Sequence, residues 1–117
     1  HRNTVMAAIP LPDGRLATGS GDKSIKLWRN GVCEKTITTG HRESVRCLAA
    51  LPGNRLASGS YDSSIKIWNL DSGECERTLG EHTDKVEAVV CLPDGLLASD
   101  SFDNTIKIWD TSTGECL

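Results

Sequence analysis

The sequence predicts an all-β fold of three consecutive four-stranded antiparallel sheets. Three observations carry that expectation. His1, His41 and His82 lie 40 and 41 residues apart, and Asp22, Asp62, Asp103 and Trp28, Trp68, Trp109 recur with the same two steps. Within each copy the offsets do not vary: 21 residues from His to Asp and 6 from Asp to Trp, using every His and every Trp of the chain. The copies differ in length only at turns, where a repeated scaffold tolerates it. The loop after Trp28 is two residues shorter than its counterparts, and the one before His41 is one residue longer than that before His82.

The middle copy shows the elements in order. Val45–Leu51 is apolar-rich and ends at the turn cluster Pro52-Gly53-Asn54. Arg55–Ser60 follows, with Leu56 and Ser58 on the face opposite Ala57, then the turn Tyr61-Asp62-Ser63-Ser64. Ile65–Asn69 alternates strictly, Ile65 and Ile67 against Lys66 and Trp68. Leu70-Asp71-Ser72-Gly73 turns the chain into a last strand, Glu74–Leu79. In the first copy Asn30-Gly31 is the dipeptide of a two-residue type I′ hairpin. No stretch carries a useful helical period. Units of about 40 residues built this way read as the blades of a β-propeller. The expected units are 1–40, 41–81 and 82–117, the last ending within its fourth strand. One such sheet leaves two apolar faces bare, so the sheets must cover each other.

Composition narrows the function. The 117 residues are 38% hydrophobic and 25% charged, with a net charge of −3. The mean hydropathy is −0.30 and the pI about 5.5. Basic and acidic residues are interleaved, so no stripe exists to neutralise phosphates and no nucleic-acid partner is expected. No apolar run approaches the roughly 18 residues of a membrane span, so no membrane partner is expected. No secretion signal shows. Cys33, Cys47, Cys75, Cys91 and Cys116 are odd in number and form no CxxC pair. They read as buried free thiols in a reducing compartment, which places the chain in the cytoplasm, with the nucleus open.

Gly40-His41 before the first strand, Asp62 in the second turn and Trp109-Asp110 closing the third strand resemble the WD40 repeat family over essentially the whole chain. The copies depart from its pattern at Glu81-His82, at Trp28-Arg29 and Trp68-Asn69, and at Asp100, which replaces the glycine of positions 19 and 59. The His, Asp and Trp spacing survives these changes. The resemblance implies a buried polar tetrad in each blade: His1, Thr18, Asp22 and Trp28; His41, Ser58, Asp62 and Trp68; His82, Ser99, Asp103 and Trp109. The chemistry is coherent, because indole only donates, a hydroxyl accepts and passes on, and imidazole reaches a carboxylate. The Ser/His/Asp set also invites a hydrolase reading. A triad is needed once, at an open cleft with an oxyanion hole, whereas this set recurs three times and always with a Trp. There is no GxSxG elbow, no HExxH and no metal spacing, and Gly19-Ser20-Gly21-Asp22-Lys23-Ser24 lacks the order of a phosphate loop. No enzyme activity, catalytic residue, metal or cofactor is expected. Lys26, Lys66 and Lys107, each two before a Trp, are expected to lay their stems beside the indole with the amine in water.

The resemblance further implies a protein- or peptide-binding scaffold or adaptor. Its partners would dock at the loops leading into the first and third strands. Two positions per blade point there: Met6 and Gly21, Arg46 and Tyr61, Glu87 and Phe102. They vary from copy to copy while their neighbours barely change. Tyr61 and Phe102 are the chain's only Tyr and Phe. They read either as partner anchors or as packing against the neighbouring blade. The stretch Leu27 to Thr36, with Ser44-Val45-Arg46, is also similar to the phospholipase-A2-activating-protein group of propellers, which implies ubiquitin as a partner. Three blades do not close a ring. Either they belong to a longer propeller, or copies associate. A homodimer would supply six blades, within the usual range of about four to eight. A purely architectural role, with no ligand face, is the alternative.

Overall fold

The computed structural model describes residues 4–80 and 82–117. The first sheet holds β1 (Val5–Pro10), β2 (Leu16–Ser20), β3 (Ser24–Arg29) and β4 (Val32–Thr38). The second holds β5 (Val45–Leu51), β6 (Arg55–Ser60), β7 (Ile65–Asn69) and β8 (Cys75–Leu79). The third holds β9 (Val86–Cys91), β10 (Leu96–Ser101) and β11 (Ile106–Asp110), and a bridge between Trp109 and Cys116 begins its fourth strand. All pairings are antiparallel between consecutive strands. The fold is therefore all-β, in the blade pattern of a propeller. At Asn30-Gly31 φ is 52° and 79°, the doubly positive pair of a type I′ turn.

Period-two alternation gives each sheet two unlike faces. One carries the isoleucines of the third strand, the other its tryptophan. Ala17, Ile25, Leu27 and Ile37 of the first sheet pack on Val45, Leu48, Leu56 and Trp68 of the second. The second sheet's Ala49, Ala57, Ile65, Ile67 and Leu79 pack in turn on Val86, Val89, Leu97 and Trp109 of the third. The same seam is thus built twice. The sheets meet mainly through their first two strands, β1 and β2 against β5, and β5 and β6 against β9, so the array fans outward from its inner strands. Polar clasps close the second seam at its edge. Arg55 donates to the Thr111 carbonyl and hydroxyl at 3.3 and 3.1 Å, and Arg77 donates to the Ser112 carbonyl at 2.5 Å.

Two glycines make this stacking possible. A Cβ on Gly19 would lie 2.6 Å from Val45 Cγ1, and one on Gly59 would lie 2.8 Å from Val86 Cγ1 and 2.5 Å from Cys47 Sγ. The leading valine of the next sheet fills the space that a side chain would take. The outermost faces have no such cover among the described residues. Val5 and Leu16 are 50% and 41% exposed on the tryptophan face of the first sheet, and Val90 and Ile106 are 55% and 73% exposed on the isoleucine face of the third.

The expectation of buried thiols needs correction. Cys47 alone is buried, and burial pushes its thiol up to about 12. Cys33, Cys91 and Cys116 are half-buried and Cys75 is exposed, because Cys33, Cys75 and Cys116 lie on outer strands that no further sheet covers.

Candidate functional site

The tetrad residues converge as hydrogen-bonded chains. In the second sheet Trp68 Nε1 donates to Ser58 Oγ at 2.9 Å, and Ser58 Oγ lies 2.9 Å from His41 Nε2. His41 Nδ1 is 3.0 Å from Asp62 Oδ2. The third sheet repeats this through Trp109 to Ser99 at 2.8 Å, Ser99 to His82 at 2.7 Å and His82 to Asp103 at 2.9 Å. One proton arrangement satisfies every link: the hydroxyl donates to Nε2, and the imidazole carries its proton on Nδ1 toward the carboxylate. In the first sheet Trp28 donates to Thr18 at 2.9 Å, and Asp22 accepts from the Ser24 amide and hydroxyl. His1 lies outside the described residues.

The aspartates are more fully engaged than a tetrad implies. Asp62 Oδ2 also accepts the Arg42 amide at 2.8 Å, and Oδ1 accepts the Ser64 amide and hydroxyl at 2.9 and 2.6 Å. Burial opposes ionisation of Asp62, but the hydrogen bonds from His41, Ser64 and Arg42 outweigh it and hold the carboxyl well below its usual range. Asp103 is lowered likewise, chiefly by the Thr105 hydroxyl; burial opposes the shift, and His82 and the Thr83 and Thr105 amides reinforce it. Ser20, Ser60 and Ser101 form a repeated position that the sequence reading passes over. Each hydroxyl accepts the amide of the following Asp residue at 3.0 to 3.1 Å. Those of Ser60 and Ser101 also donate to the carbonyls of Glu43 and Asp84. Their recurrence two residues before each Asp was the available signal.

These chains offer no nucleophile. Ser58 and Ser99 are essentially without exposure, and each accepts an indole N–H. Among the described residues no group of three His, Cys, Asp or Glu side chains is placed to hold a metal ion. No helix of the described chain is long and apolar enough to cross a membrane. Lys26 and Lys66 do more than keep their amines in water. Each reaches the hydroxyl directly across the ladder, Thr36 at 3.0 Å and Thr78 at 3.2 Å.

The six docking candidates share one end of the array. Met6, Arg46 and Glu87 are the unpaired residues where the register slips on β1, β5 and β9. A bulge of this kind re-aims a side chain out of the ladder. It also turns Val45 and Cys47, two residues apart, to opposite faces, the first against the first sheet and the second against the third. The other three candidates are tied to the same place through the backbone. Gly21 donates to the Thr4 carbonyl at 2.9 Å, Tyr61 to Ser44 at 3.2 Å and Phe102 to Lys85 at 2.9 Å.

Across the second seam these positions become one surface. Lys85 Nζ stands 5.1 Å from the centre of the Tyr61 ring and 5.9 Å from that of Phe102, within cation–π range of both. Arg46 Nη2 lies 3.7 Å from Glu87 Oε2, while Glu87 Oε1 is buried without a hydrogen-bond partner. Tyr61 is half-buried beside the neighbouring sheet's lysine, whereas Phe102 is 52% exposed. Met6 and Gly21 hold the equivalent places on the first sheet, which has no aromatic ring there. Lys85 was not singled out from the sequence, since its role depends on two sheets meeting. A groove of about 430 Å³ opens at the opposite end, between the turns Leu11-Pro12-Asp13 and Pro52-Gly53-Asn54, with Leu70 at its base.

The repeat, the blade topology and the polar chains match one family. The WD domain, G-beta repeat, is found at residues 1–29, 31–69 and 73–110. The chain belongs to the WD40 repeat family. The WD40 beta propeller domain of Doa1 superposes with a TM-score of 0.93 at 32% identity, covering 99% of this chain and 40% of that one. The chain therefore spans less than half the length of that WD40 structure. Among curated proteins, none matches the chain. WD40 propellers are in general non-enzymatic scaffolds for protein interaction.

Proposed function

We propose that this chain is a non-enzymatic scaffold that binds a protein or peptide at the bulged end of its sheets, with Tyr61, Lys85, Phe102, Arg46 and Glu87 in contact with the partner. The observation that carries this is Lys85 standing against both Tyr61 and Phe102 at the end of the sheets where Arg46 and Glu87 pair from their bulges. Aromatics and arginine dominate binding energy where they are held in place before contact. A mixed-charge surface favours a polypeptide over a ligand of single charge sign. The tetrads are assigned to stability rather than to catalysis. A reducing compartment suits the five free thiols.

Ubiquitin is the first partner to try, on the strength of the similarity of Leu27–Thr36 and Ser44–Arg46 to the phospholipase-A2-activating-protein group. Titration of the isotopically labelled chain with ubiquitin is expected to shift the amides of Arg46, Tyr61, Lys85, Glu87 and Phe102. The double variant Tyr61→Ala/Phe102→Ala is expected to weaken binding at least about tenfold, one aromatic anchor being worth about 2 kcal/mol or more. Shifts confined to the groove at the other end contradict the assigned surface, and no shift at all removes ubiquitin.

The free faces of the first and third sheets share the apolar pattern of the two that meet inside the chain, and a homodimer of six blades would bring them together, with Asp100 standing on the third sheet's free face where the inner faces have Gly19 and Gly59.

A further inference from the structure

The turn between β3 and β4 holds the one Asn-Gly step of the sequence. Asn30 and Gly31 are exposed, and so are Arg29 and Val32 on either side. The turn leaves free the two groups that a ring closure needs. Among the described residues neither the Asn30 carboxamide nor the Gly31 amide makes a hydrogen bond. The other described asparagines differ. Asn54 donates its side-chain amide to Asp71 at 2.7 Å. Asn69 accepts the amides of Asp71 and Ser72 at 2.8 and 3.2 Å and donates to Glu76 at 3.5 Å. Arg55, Leu70 and Thr105 follow Asn54, Asn69 and Asn104, and each crowds its own amide with a side chain that Gly31 lacks. The hairpin end also opens cheaply. It lies at the outer edge of the first sheet, and parting it there breaks only the Arg29–Val32 pairing.

We infer that Asn30 is a modification site, at which the chain converts spontaneously to aspartate and isoaspartate. The Gly31 nitrogen attacks the side-chain carbonyl carbon, Cγ, of Asn30. The N–Cγ bond forms and the Cγ–Nδ2 bond breaks, and the proton of the Gly31 amide leaves with the side-chain nitrogen as ammonia. The product is a cyclic imide, which water opens at either carbonyl. Opening at Cγ gives an ordinary aspartate. Opening at the main-chain carbonyl gives isoaspartate, whose backbone runs through the former side chain. Nothing is oxidised or reduced, and water is the only co-reactant. Either product adds a negative charge beside Arg29, which already pairs with Glu34 at 3.3 Å. Isoaspartate also lengthens a tight turn whose length fixes the register of β3 and β4. Arg29 reaches the Asp13 carbonyl at 3.5 Å, at the end of the sheets opposite the docking surface, so the inference is independent of that surface.

The test ages the wild-type chain in warm, mildly alkaline buffer and samples it over weeks, with an unaged sample digested in parallel. Trypsin releases Asn30–Lys35 as one peptide. That peptide is expected to gain about 1 Da, the difference between an amide and an acid, at least about tenfold faster than the peptides carrying Asn54 and Asn69. A methyltransferase specific for isoaspartate is expected to label the aged wild type. It is expected to leave unlabelled Asn30→Asp, whose backbone is ordinary, and aged Asn30→Gly, which keeps the positive φ and lacks the carboxamide. Equal rates at Asn30, Asn54 and Asn69 overturn the inference. So does aspartate formed with no isoaspartate, which would mean direct hydrolysis of the carboxamide without ring closure. The comparison of the three asparagines is made within the wild type, so it stands whether or not a variant folds.

Discussion

Ser58 holds two partners at once, since it takes the Trp68 indole proton and faces the bare nitrogen of His41. Ser58→Ala leaves both groups buried and unpaired, and the cost is expected at about 1–3 kcal/mol in urea unfolding. Thr18→Ala is expected to cost less, because Trp28 is only half-buried and its indole can turn to water. The aspartates set the acid limit. Asp62 and Asp103 have carboxyls lowered in the fold relative to an unfolded value of about 3.9. Their contribution is therefore fully present above about pH 5 and is lost as pH falls through the lower, folded values. Stability measured from pH 7 to pH 2 is expected to stay level and then fall below about pH 4, and Asp62→Asn is expected to be less stable at pH 7 with a shallower acid slope. A rise in stability on acidification contradicts this. A smaller strain sits one residue on, where Lys23, Ser63 and Asn104 all have positive φ, at 69°, 75° and 67°. Lys23→Gly relieves that strain and is expected to stabilise by about 0.5–1 kcal/mol, after the greater chain entropy of glycine is allowed for.

At the scale of the element, the seam rests on the contrast between glycine and aspartate at one strand position. Gly59→Ala would drive a Cβ into Val86 and Cys47, and is expected to destabilise by about 1–3 kcal/mol. Asp100→Ala, at the same place on an uncovered face, is expected to stay within about 0.5 kcal/mol of the wild type. Equal effects at the two positions would mean that the valine contact is not what requires glycine. The strands themselves were legible in the sequence, because period-two alternation such as Ile65, Lys66, Ile67, Trp68 is a local property of residue type. The polar chains were legible too, once a family resemblance had attached a role to a fixed spacing. The bulges at Met6, Arg46 and Glu87 were not. A bulge is a slip between two ladders of hydrogen bonds, and no residue type shared by those three positions announces it. Lys85 was hidden for a related reason, since it acquires Tyr61 only when the second and third sheets meet.

The molecule as a whole is a fan of three blades whose inner seams are complete and whose end faces are bare among the described residues. The rigid interior of each seam frees the bulged end to vary, and this end carries the only Tyr and the only Phe of the chain. The most direct test of that functional claim compares the proteins captured by three immobilised forms of the chain. These are the wild type, Arg46→Ala/Tyr61→Ala/Phe102→Ala, and a control altered at the opposite groove away from the second seam, Pro12→Ala/Asp13→Ala. The account expects at least one partner to be held by the wild type and the control and reduced about tenfold or more on the triple variant. Identical captured sets for all three forms would contradict it, and would leave the blades an architectural role without a binding face.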